Sequence, residues 1–169
     1  AMPERYGAVR RCKIVRDLDS VKRNLNLYVL GEDSNGNLAS ANNTVKNNLK
    51  TWLNQYKMMN DTIDIMDAKI INIQIEYTIV ATHDSNKFDV LQSTQDTLKE
   101  KYANPTYIGE PFYISDIQTT LNKVEGVSDV KRVKVTQKVG GNYADFRFDI
   151  KANTSPDGRY IIMPQNVAF

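Results

Sequence analysis

Few residues of this chain have the types and spacing that catalysis needs, and the first candidates are His83, Asp84 and Ser85. They are the side-chain types of a nucleophilic triad, in which a histidine activates a hydroxyl and a carboxylate orients the histidine. Consecutive side chains of an extended segment point apart, however, so these three cannot form that relay of hydrogen bonds. A strand-to-helix loop with a polar residue capping the helix explains the run better.

Metal chemistry has little support in the sequence. The chain holds one histidine and one cysteine, Cys12, so a zinc site would need several carboxylates, and no helical His/Glu spacing supplies them. Asp61, Asp64 and Asp67 recur at every third position, which we interpret as a solvated edge rather than an acid/base or metal cluster. The sequence therefore predicts no catalytic, cofactor-binding or metal-binding residue, no cofactor, and a protein that is not an enzyme.

Phosphate and nucleic-acid binding are also disfavoured. Gly140 and Gly141 are not followed by the helix start that a phosphate loop requires, and predict a hairpin turn. A basic cluster near the N-terminus is interrupted by Asp17 and Asp19 and has no aromatic stacking pattern. We interpret it as a solvated strand face or a protein interface. The cluster consists of Arg10, Arg11, Lys13, Arg16, Lys22 and Arg23.

Composition places the chain in the globular class. Its 169 residues are 41% hydrophobic and 25% charged, with a net charge of +2, and that length is enough to bury a real core. A single cysteine allows no internal disulfide. No apolar run approaches the roughly 18 residues of a membrane-spanning helix, and no signal peptide is visible. We therefore expect a cytoplasmic site of synthesis. Ala1 and Met2 are interpreted as a tag remnant. Because the chain is apolar up to Phe169, we expect a fragment of a larger protein.

The stretch from Thr62 to Thr82 organises the predicted fold. Apolar residues alternate with polar ones from Ile71 to Ile79, which is the period of a strand with one buried face. We predict a long central strand there, with a break allowed near Asp67.

A first α+β unit is predicted over residues 3–82. Strands are expected over Tyr6–Arg16, with Val9, Cys12, Ile14 and Val15 among basic residues, and over Leu25–Gly31, followed by a turn at Asn35 and Gly36. Ser40 or Asn42 would cap a helix reaching Met59, because apolar residues recur there at helical spacing. The residues of that stripe are Val45, Leu49, Trp52, Leu53 and Tyr56.

A second α+β unit is predicted over residues 83–169. Its first helix would span Lys87–Tyr102, bury Phe88, Leu91, Leu98 and Tyr102, and stop at Asn104-Pro105. Ser115 and Gln118 have the spacing of a capping box for a helix containing Ile117, Leu121 and Val124, and Gly126 suits its C-terminus. A strand from Val127 would turn at Gly140–Asn142 into Phe146, Phe148 and Ile150, and a turn at Ser155–Gly158 would precede a last strand at Tyr160–Met163. The predicted fold class is α+β, with two helix-strand units packed on antiparallel or mixed sheets and a C-terminal β-hairpin.

Two segments resemble a known family. The first, Thr44–Ala81, is an amphipathic helix followed by a short strand and a long alternating strand; the second, Gly109–Lys138, is a short helix, the turn Val124–Val130 and a strand. In this order, with the helix Phe88–Tyr102 between them, they resemble the C-terminal part of the baseplate J-like proteins of contractile phage tails. Arg5–Val9 also resembles the entry to that region in the wedge protein of large myophages.

The resemblance implies a structural role in the virion. Such wedge proteins assemble with themselves, as a homodimer or ring, and with other wedge subunits, and they change packing when the sheath contracts. It implies a tail baseplate location after assembly in the host cytoplasm, no small-molecule substrate, no membrane and no catalytic residues, and leaves the interface residues unassigned. A small α+β ligand-sensing or RNA-binding module is the alternative. RNA is disfavoured because Phe146 and Phe148 share a face without an accompanying RNA-binding motif.

Overall fold

A computed structural model of the chain describes residues 9–18, 24–103, 106–141 and 143–169. The suspected tag remnant Ala1-Met2, the basic residues Lys22 and Arg23, the expected helix stop at Asn104-Pro105 and Asn142 of the expected turn lie outside the described residues. In chain order the elements are β1 (Arg11–Arg16), β2 (Asn24–Glu32), β3 (Leu38–Ala39), α1 (Asn43–Leu53), β4 (Thr62–Asp67), β5 (Lys69–Ile70), β6 (Asn72–Ala81), α2 (Lys87–Lys101), β7 (Phe112–Tyr113), α3 (Ile114–Asn122), β8 (Val127–Lys138), β9 (Tyr160–Ile161) and β10 (Val167–Ala168).

The α+β fold class with a C-terminal hairpin is confirmed. The chain forms two compact units, and the first contains the described residues up to 70 together with 106–109 and 164–168. The second unit contains the described residues of 71–105 and 110–163, together with 169. The chain first passes from one unit to the other at residues 70 and 71.

The first unit has a sheet centred on β2. β1 pairs antiparallel with β2, β4 pairs parallel with it, and β3 pairs antiparallel with its last residues. Parallel strands need a crossover connection, and α1 supplies it between β2 and β4. Leu49 of α1 is buried in a core cluster with Leu27, Val29 and Ala41.

Helix α1 is shorter than predicted. Asn42 is its cap, because the Asn42 side chain accepts a hydrogen bond from the Thr44 amide at 3.0 Å. The helix ends at Leu53 rather than Met59, and a turn follows it. Residues 54–60 are all exposed, so the last turn of the predicted helix would have had no buried face to stabilise it.

Strand β1 has one exposed face, as predicted, and the structure shows which residues lie on it. Arg11, Lys13 and Val15 are half-buried, while Cys12 and Ile14 are exposed. The guanidinium of Arg11 lies 5.1 Å from the centroid of the Tyr107 ring. Long basic side chains cover apolar surface with their methylene stems, and Arg11 and Lys13 share the half-buried face with Val15.

The predicted long strand is three strands. β4 pairs with β2, β5 pairs with β10, and β6 pairs with β8. Buried Ala68 separates the first two, and buried Ile71 separates the last two. The break near Asp67 is thereby confirmed, and the second interruption at Ile71 was not predicted.

The second unit is built on the antiparallel pair of β6 and β8, with α2 and α3 on one face. Ile117 and Leu121 of α3 are fully buried, and the Tyr77 hydroxyl of β6 is 3.1 Å from that of Thr94 in α2. On the opposite face Glu76 lies 3.7 Å from Lys134 across the strands, both half-exposed. This sheet therefore has one helix-covered face and one polar face.

Both helices of this unit differ in detail from the prediction. α2 is capped by Asn86 and buries Val90, Thr94 and Leu98, so the expectation that Phe88 and Leu91 are core residues was wrong. The capping box was also wrong, because α3 begins at Ile114 and Tyr113 makes no side-chain capping bond. A backbone carbonyl directly before β9 accepts from this end of the helix, since the Ser115 amide donates to the Arg159 carbonyl at 3.1 Å.

The C-terminal hairpin closes at Ser155–Gly158. The Ser155 amide donates to the Tyr160 carbonyl at 2.8 Å, and Thr154 bridges Ile161. The predicted strand through Phe146, Phe148 and Ile150 was wrong, because these residues are not part of a strand. The Gln137 side chain takes up their backbone groups instead: it donates to the Phe146 carbonyl and accepts from the Phe148 amide at 2.8 Å.

Candidate interaction surface

His83, Asp84 and Ser85 form a strand-to-helix connection, as the sequence predicted. Ser85 hydrogen-bonds to the Thr82 hydroxyl at 2.5 Å, and its amide donates to the Thr82 carbonyl at 3.2 Å. His83 and Asp84 are exposed in the same turn. The turn leads into α2, whose cap is Asn86, so the structure uses this run as a strand-to-helix connection.

The three spaced carboxylates are engaged separately. Asp64 accepts a hydrogen bond from the Asn24 side chain at 2.9 Å, and Asp67 pairs with Lys46 at 2.7 Å. Asp61 lines a small cleft with other residues of the first unit. Within the described ranges, no three His, Cys, Asp or Glu side chains are grouped as a metal site would require.

Much of the described basic cluster is already partnered inside the first unit. Arg10 forms an ion pair with Glu32, and Arg11 packs on Tyr107. A nucleic-acid surface needs cations that are free to replace the counterions of phosphates. These contacts favour the interpretation of β1 as a structural strand. None of the helices in the described part of the chain is long and apolar enough to cross a membrane.

The strongest electrostatic perturbation belongs to Tyr102 at the end of α2. Burial, and to a lesser extent the charge of Asp116, raises the pKa of its phenol to about 12. The Tyr102 ring also stacks on Phe112, with centroids 5.6 Å apart. The shifted pKa therefore reflects packing in the core of the second unit rather than a reactive phenol.

The two long strands of the second unit differ in how their outer edges are protected. In the described part of the chain each pairs only with the other. The register skips Ser128 between Asp129 and Val127, and skips Lys131 between Arg132 and Val130, so both bulges are in β8. Bulges and basic side chains are the usual means of preventing further pairing at an edge. β6 has no such residue, since Glu76 is its single charged side chain.

A groove of about 530 Å³ lies beside the last three residues of β6 and the connection that follows them. Successive strand side chains point to opposite faces, so a groove lined by three consecutive residues of β6 runs along its edge. The opposite wall is formed by α2, through Lys87 and Leu91. Its lining residues are Ile79, Val80, Ala81, Thr82, His83, Ser85, Lys87 and Leu91.

Exposed apolar residues accompany this groove. Leu91 is 43% exposed, and Phe88, three residues earlier on α2, is 81% exposed. Sequence reasoning missed this surface because it placed both residues in the core. The overlooked signal was a second possible stripe on α2, formed by Val90, Thr94 and Leu98.

Solved structures include chains that are similar to this one. No protein-family model and no curated protein matches the chain. Among solved structures, the chain is similar to a chain in the six-fold symmetrised cryo-EM structure of the anti-feeding prophage baseplate, with a TM-score of 0.45 and 14% identity. The match covers 72% of this chain and 27% of the neighbour, so the chain spans about a quarter of that protein's length.

Proposed function

We propose that this chain is a structural component of the baseplate of a contractile tail, and more narrowly part of a wedge subunit. The observation that carries the proposal is the order of elements in the two resembling segments. Thr44–Ala81 contains most of α1 and all of β4, β5 and β6, and Gly109–Lys138 contains α3 and β8, with α2 between them. Absence of either helix-strand unit would have contradicted the resemblance.

The surface of the second unit supports an assembly role. A ten-residue strand with an unguarded edge is a ready template for pairing with another chain, and β6 has this property. The proposal assigns no catalytic step and no cofactor. Its partners are other copies of the subunit and further wedge proteins in the tail baseplate, and its packing is proposed to change on contraction.

Immunogold labelling of purified contractile particles tests the location. Antibodies raised against this chain should label the baseplate end of the particle, and interruption of its coding sequence should leave particles without complete baseplates. Complementation with the intact sequence is the control, and it should restore both labelling and assembly.

Labelling along the sheath or the head would contradict the baseplate role. Intact baseplates assembled without the protein would contradict it as well. A third outcome separates the two parts of the proposal. If antibodies label the baseplate but particles that carry a deletion in this protein contract normally, the location would stand and the proposed part in the rearrangement would be refuted.

A further inference from the structure

We propose that the groove between β6 and α2 binds an extended segment of another protein, which adds to β6 as a further strand. The segment would place an apolar side chain against Leu91 and an acidic side chain beside Lys87. This inference rests on the geometry of the second unit alone, and so does not depend on the baseplate role.

The edge of β6 has the backbone that strand addition requires. Every second residue of an edge strand directs its amide and carbonyl groups outward, and pairing with an extended peptide satisfies them. Both register irregularities are in β8, so β6 remains a regular ladder template over its length. Neither Lys, Arg nor Pro occurs in Asn72–Ala81.

The groove supplies side-chain specificity beside that edge. Its volume of about 530 Å³ lies within the range of ligand clefts, roughly 300–1,000 Å³. The wall residues Ile79, Val80 and Leu91 are aliphatic. Because alternate side chains of an added strand point to the same face, one apolar residue of the segment would face α2 while its neighbours face away.

The positive charge of the groove favours a segment that contains an acidic side chain. Lys87 is the one formally charged side chain among the described residues that line the groove, and it lies in the first turn of α2. The amide groups at a helix N-terminus add partial positive charge. Asp84 and Asp89 are exposed nearby but do not line the groove, so the charge inside it is positive.

Binding of a short synthetic peptide to the full chain tests the proposal. The probe alternates valine with threonine, carries one glutamate and a fluorescein label, and is followed by fluorescence anisotropy. Two further versions are N-methylated at alternate residues, one on each edge of the peptide. Strand addition uses one edge, so one version should bind at least about tenfold more weakly and the other should bind like the parent.

Variants on α2 test the charge. Lys87→Glu should weaken binding of the glutamate peptide about threefold to fivefold, and a lysine-containing peptide should recover that loss. Lys99→Glu is the matched control, because Lys99 is exposed on the same helix and does not line the groove. Amide NMR shifts on binding should be concentrated at Ile79–Ala81.

Three results would overturn the inference. They are the absence of saturable binding, equal binding of both N-methylated peptides, and an effect of Lys99→Glu as large as that of Lys87→Glu. Since the N-methyl groups are on the probe, a failure of pairing could not be attributed to misfolding of the protein.

Discussion

Gly126, in the turn between α3 and β8, gives the sharpest test of packing in the second unit. Its φ is +86°, and a Cβ atom placed there would lie 2.6 Å from Val90 Cγ2 and 3.1 Å from Ser85 Oγ. Its carbonyl accepts a hydrogen bond from the Thr82 amide at 2.9 Å. Gly126→Ala would therefore disturb both the backbone and the start of α2.

The loss of unfolding free energy expected for Gly126→Ala has two separable parts. A left-handed conformation costs a residue with a Cβ roughly 1–2 kcal/mol, and overpacking a filled site adds about 1–3 kcal/mol. Gly140 is a matched control, since its φ is +85° and no atom lies within 4 Å of a Cβ built there. Gly140→Ala should thus lower the free energy of unfolding by the first part alone.

Urea unfolding followed by far-ultraviolet circular dichroism measures both variants against the parent chain. We expect Gly126→Ala to lose about 2–5 kcal/mol and Gly140→Ala about 1–2 kcal/mol. Equal losses for the two variants would refute the close approach of α2 to Gly126, because only the steric contribution distinguishes them.

Three further predictions concern hydrogen bonds and ionisation. Absorbance titration should show the Tyr102 phenol ionising near pH 12, because burial and, to a lesser extent, Asp116 raise its pKa. The free energy of unfolding should fall as the pH rises from about 10. Tyr102→Phe should remove the contribution of this residue to that fall. Thr94→Val and Tyr77→Phe should each cost about 1 kcal/mol, and because their hydroxyls bond to each other, fully additive losses in the double variant would contradict the bond. The Ser155 hydroxyl lowers the pKa of Asp157 below 3.8. The stabilisation from the ionised Asp157 carboxylate should therefore be present at neutral pH and be lost as the pH falls through the lowered pKa. An NMR titration that gives an unshifted pKa for this carboxyl would contradict the prediction.

The apolar pattern between Thr62 and Thr82 also indicates where the predicted long strand is interrupted. Ile63 and Ile65 point to one core cluster, whereas Ala68 and Ile70 belong to another. The residues that face a core have odd numbers up to Ile65, even numbers at Ala68 and Ile70, and odd numbers again from Ile71. A strand cannot move its buried residues to the other face without a break, so each change of phase marks an interruption that the sequence could have predicted.

The buried face of α2 was harder to predict. The stripe chosen from the sequence contained Phe88 and Leu91, because hydrophobicity favours large apolar side chains. The structure buries Thr94 completely instead. Its hydroxyl donates to the Leu91 carbonyl at 2.8 Å and bonds to Tyr77, so the polar atom is satisfied and burial carries little penalty. That partner comes from β6, and no pattern within the helix identifies it.

The error on α2 and the groove beside β6 have one physical origin. Once Val90, Thr94 and Leu98 face the sheet, Leu91 and Lys87 must lie on the side of α2 toward the outer edge of β6. Proteins commonly guard such an edge with charge, proline or bulges. β8 has two bulges and several charged residues, whereas β6 has neither proline nor a bulge, and Glu76 is its single charged residue. The asymmetry between the two strands therefore supports the proposal that the edge of β6, rather than that of β8, pairs with a further strand.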